Sequence, residues 1–70
     1  MKEALAELIQ KLNDSLIESE IPKGKEAEAR IQGKITAYKH AVRLLAKNGG
    51  FTVKSRNKEH SLVSLFYIAE

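Results

Sequence analysis

The sequence predicts an α+β fold, an antiparallel two-helix hairpin followed by a C-terminal β-hairpin, in one small domain spanning residues 1–70. Three observations carry this expectation. Apolar residues recur at helical spacing in two long stretches. A short segment containing Pro22 and Gly24 separates them. The segment after Gly50 is rich in β-branched and aromatic residues.

Residues 2–18 form the first expected helix. Leu5, Leu8, Ile9, Leu12 and Leu16 fall on one apolar arc, with Glu3, Glu7, Asp14 and Glu18 opposite and Ile17 outside the stripe. Pro22 pushes Ile21 toward an extended conformation and Gly24 frees the chain further. A connection this short favours antiparallel helices. The second helix is expected over residues 25–47. Glu26 and Glu28 suit its first turn, and Arg43 and Lys47 suit its end. Asn48, Gly49 and Gly50 supply the stop.

Beyond it, Phe51 and Val53 alternate with polar neighbours, a polar turn begins at Arg56, and a second apolar run follows. Strands are expected over residues 51–55 and 61–68. The alternative is a third helix from Asn57 with Leu62, Leu65, Phe66 and Ala69 on one face, which would make the fold an all-α three-helix domain.

With 70 residues the chain has little core to stabilise it. It has no cysteine, so disulfides and thiolate metal sites are excluded. Tight packing or self-association is left as the source of stability. No apolar run approaches the roughly 20 residues that span a bilayer, and the N-terminal leucines are interleaved with charges. A soluble, cytoplasmic chain is expected. No cofactor motif is present: Walker A and GxGxxG patterns are absent, and no spacing unites Ser15, Ser19, Ser55, Ser61 or Ser64 with His40 or His60. The expectation is a non-enzymatic protein with no cofactor and no metal.

The net charge of +3 conceals a strong asymmetry. Residues 1–20 carry Glu3, Glu7, Asp14, Glu18 and Glu20 against Lys2 and Lys11. Residues 30–58 contain eight basic residues and no acidic one. Six of these, Lys39, Arg43, Lys47, Lys54, Arg56 and Lys58, form a candidate partner-binding surface, read either as a solvated face or as a ridge for phosphates or an acidic protein surface.

The second helix has more apolar surface than one neighbour can cover. Ala27, Ile31, Ile35, Tyr38, Val42 and Leu45 should pack on the first helix. Gly33, Ala37 and Ala41, with Leu44 beside them, form a separate stripe where a backbone can approach closely. The approaching element is either the C-terminal hairpin of the same chain or a second copy.

Arg30, Ile31, Gly33, Tyr38, Ala41, Leu44 and Leu45 give residues 30–45 a resemblance to the second helix of small helical-hairpin accessory proteins of bacteriophages and bacterial mobile elements. The resemblance implies a small accessory protein that binds and modulates a host factor.

These observations set the functional expectation: a small, self-associating interaction protein that binds a protein partner and modulates or inhibits it. The alternative is a nucleic-acid-binding regulator using the basic segment 30–58. A third option is a small-anion or nucleotide binder between protomers, with Arg43 and Lys47 as ligands.

Overall fold

The computed structural model describes residues 2–57 and 63–69. It has helix α1 (Lys2–Glu18), helix α2 (Lys25–Gly49) and strands β1 (Thr52–Asn57) and β2 (Ser64–Ala69). The fold is α+β: a helical hairpin followed by an antiparallel β-hairpin. The all-α alternative is therefore overturned, because the segment it assigned to a third helix supplies β2.

The helical periodicity is realised in the core. Leu5, Ile9, Leu12 and Leu16 of α1 are buried against Ile31, Ile35, Val42 and Ala46 of α2. Leu5 and Leu12 are fully buried, each contributing about 2–3 kcal/mol of transfer free energy. Leu8, Tyr38 and Leu45 are half-buried at the margin. Ile17 stays outside and is 46% exposed. Past Glu18 the chain makes one further tight turn, in which the Ser19 hydroxyl donates to the Leu16 carbonyl at 2.6 Å. The Glu20 and Ile21 amides donate to the Ile17 and Glu18 carbonyls.

Helix α2 runs to Gly49, two residues beyond the expected end at Lys47. Asn48 and Gly49 weaken a helix by no more than about 1 kcal/mol each, and the capping bonds of the next two residues offset this. Gly50 adopts the left-handed conformation, φ 74° and ψ 23°. Its amide donates to the Lys47 carbonyl at 3.4 Å, and the Phe51 amide donates to the Ala46 carbonyl at 2.9 Å. This is a Schellman cap, in which the residue after the glycine folds back onto the last turn. It is the hinge that returns the chain along α2.

The cap also corrects the first strand. Phe51 was expected to open it, but its amide is committed to α2, so β1 starts at Thr52. At the far end Arg56 and Asn57, expected in a turn, pair with Leu65 and Ser64. Cross-strand pairing outweighs their local polarity. Among the described residues β2 begins at Ser64, with Val63 outside it, and it ends at Ala69 rather than 68, because Ala69 pairs with Thr52. Residues 61 and 62 lie outside the described residues.

The register places Val53 opposite Ile68 and Ser55 opposite Phe66 on one sheet face. Val53, Phe66 and Ile68 pack on the helical core. Lys54 opposite Tyr67 and Arg56 opposite Leu65 lie on the other face. β2 lies against α1, and β1 lies on the α2 side.

Candidate functional site

The two helices and the sheet do not match in width. Packed helices sit about 8–10 Å apart, while strands sit about 4.8 Å apart. Two strands therefore cover only part of a two-helix layer. β2 occupies the part over α1 and is fixed there by Asn13. The Asn13 side-chain amide donates to the Phe66 carbonyl at 3.0 Å, and its oxygen accepts from the Phe66 amide at 2.8 Å. One side chain thus satisfies both outward backbone groups of Phe66 at the centre of the β2 edge.

Over α2 the layer stays open. A groove of about 510 Å³ runs between α2 and β1. Leu12, Val42, Ala46 and Phe66 contribute its apolar floor. Phe51, Thr52 and Val53 form the wall that the Schellman cap turns back along the helix. Lys39, Arg43 and Lys47, one helical turn apart, form the opposite rim. All three side chains are on exposed positions, and none has an ion-pair partner among the described residues. An apolar floor under three uncompensated cations fits a ligand that is both apolar and anionic.

The basic residues expected to form one surface divide into two groups. Lys39, Arg43 and Lys47 line the groove. Lys54 and Arg56 lie on the outer sheet face, where the Arg56 guanidinium sits 5.4 Å from the centre of the Tyr67 ring. Lys58 lies outside the described residues. Arg43 and Lys47 converge within a single chain.

Among the described residues, nothing covers most of the small-residue stripe. Gly33, Ala37 and Leu44 are exposed and Ala41 is half-buried. A Cβ built on Gly33 meets nothing within 4 Å. The described strands of the C-terminal hairpin do not cover this stripe, which corrects that expectation for them. The hairpin's inward residues Val53, Phe66 and Ile68 are engaged on the opposite side of α2, at the core.

His40 is exposed, and His60 lies outside the described residues. Among the described residues no group of His, Cys, Asp and Glu could hold a metal ion, and no helix is long and apolar enough to cross a membrane.

Asn13 and Tyr67 escaped the sequence reading. Asn13 had a legible signal: a poor helix former one position after Leu12, at the margin of the apolar stripe. Tyr67 was legible once strand alternation was fixed, since it alternates with Phe66 and Ile68.

No protein-family model matches the chain, and no characterised protein or solved structure matches it either.

Proposed function

We propose that this chain is a non-enzymatic interaction protein that holds an acidic, partly apolar segment of a protein partner and modulates the partner by masking that segment. The observation that carries the reading is the groove: an apolar floor bounded on one side by Lys39, Arg43 and Lys47. Self-association through Gly33, Ala37, Ala41 and Leu44 belongs to the same proposal. It uses the other side of α2 and leaves the groove free.

The test is direct binding by fluorescence anisotropy. Peptides that combine Glu with Val or Leu are compared with all-Glu peptides and with single-stranded DNA and RNA. The mixed peptides are expected to bind, and the Lys39→Ser, Arg43→Ser, Lys47→Ser triple variant is expected to weaken them at least about tenfold, at up to about 1 kcal/mol per exposed charge. Equal binding by wild type and triple variant contradicts the proposal.

One observation favours a second reading as a nucleic-acid binder. The outer sheet face joins Lys54 and Arg56 to an exposed aromatic ring, Tyr67, the combination used to stack bases beside phosphates. In the same assay that reading predicts nucleic-acid binding that falls steeply with salt and is lost in Tyr67→Thr.

A further inference from the structure

We infer that the open edge of β1 is a strand-addition site, and that the partner segment binds as a third, extended strand with apolar residues facing down and acidic residues facing up. This inference rests on the groove reading above and adds the conformation and sequence pattern of the occupant.

Asn13 holds both the amide and the carbonyl of Phe66, so those groups point away from β1. In an antiparallel ladder such a residue belongs to a non-hydrogen-bonded pair. Its partner is Ser55, so the backbone groups of Ser55 also point away from the sheet. The alternation repeats every two residues, and Val53, opposite Ile68, is therefore in the same state. No hydrogen bond from the described residues reaches the outward groups of Val53 or Ser55. Val53 is a wall of the groove. The open backbone edge and the apolar trough thus lie side by side, the arrangement that takes an added strand.

The side chains of β1 then set what the strand must be. A residue added opposite Val53 shares its face and points to the floor of Val42, Ala46 and Phe66, so it should be apolar. Residues opposite Lys54 and Arg56 share the outer face, where a carboxylate completes a cross-strand ion pair. The charge pattern also disfavours a second copy of β1 as occupant. Pairing β1 with itself would bring Lys54 and Arg56 against the same two cations. The fitting partner is an acidic strand of a different protein.

The experiment uses two acetylated peptides of about eight residues, near the common strand length. One alternates Val and Glu, and the other has the same composition in two blocks. The alternating peptide is expected to bind at least about tenfold more tightly, because the block peptide must turn at least one Val away from the apolar floor and one Glu toward it. In uniformly ¹⁵N-labelled protein it should slow amide exchange at Val53 and Ser55 more than about tenfold. Ser55→Pro removes the outward amide without touching a ladder bond and should weaken the alternating peptide alone. If the rim triple variant loses binding but both peptides bind equally and Val53 and Ser55 exchange unchanged, strand addition is wrong and the groove reading survives. If neither peptide depends on the rim lysines and arginine, both fail. Exchange at Val53 and Ser55 in the wild type decides the matter even if Ser55→Pro does not fold.

Discussion

The two edges of one small sheet are built differently. The outer edge of β2 is pinned at its centre: Asn13 satisfies both backbone groups of Phe66, and the strand lies against α1. The outer edge of β1 is open, beside an apolar trough and three cations of α2. Exposed strand edges invite pairing, and proteins commonly cover them or load them with charge. Here β2 is held at Phe66 beside α1, and β1 carries Lys54 and Arg56. The difference shows how one polar side chain on a helix can fix one edge of a two-stranded sheet while the other edge is marked only by charge.

Substitutions can break this contrast in graded ways. The largest effect is expected at Leu12, which is fully buried and lies beneath both regions. Leu12→Ala should cost about 2–5 kcal/mol, most of the stability of a domain this small, and urea titration should find the hairpin and helices lost together. Asn13→Ala comes next. It leaves two half-buried backbone groups of β2 without partners, at a cost of about 1–3 kcal/mol, and makes the two edges alike. Phe66 amide exchange should rise while α2 is unaffected. Asn13→Asp keeps the acceptor for the Phe66 amide but sets a carboxylate against the Phe66 carbonyl, so it should not rescue the alanine variant.

Gly50→Ala tests the hinge that places β1 beside α2. A left-handed residue bearing a Cβ costs about 1–2 kcal/mol, and the expected readout is a lower melting temperature with disturbed Phe51 and Val53 resonances. The smallest effect, with opposite sign, is at Gly33, far from either edge. Its Cβ position is empty, so Gly33→Ala should stabilise the monomer by about 0.5–1 kcal/mol. Light scattering should show weaker self-association if two copies meet there.

The helices were legible because their signal is local. The spacing of Leu5, Ile9, Leu12 and Leu16 specifies a buried face without knowledge of the partner, and the bounds of α1 follow from it. The hairpin was legible in kind but not in extent. Phe51 reads as strand until its amide is seen to be taken by Ala46, and Arg56 and Asn57 read as turn until their cross-strand partners are known. The site was legible only in part. The i, i+4, i+8 repeat of Lys39, Arg43 and Lys47 was visible as a ridge. That the ridge bounds an apolar trough depends on Phe51, Val53 and Phe66 returning beside it, which no window of the sequence contains. The Gly33 stripe was visible too, but which element meets it is a tertiary fact, and among the described residues nothing lies within 4 Å of the Gly33 Cβ position.

The most direct measurement of the contrast between the two edges is backbone amide exchange in the free, ¹⁵N-labelled protein. The account predicts that the Phe66 amide, held by Asn13, exchanges slowly, while the Val53 and Ser55 amides exchange as fast as unprotected groups. Protection of Val53 and Ser55 equal to that of Phe66 would contradict it, because β1 would then have no open edge to offer a partner.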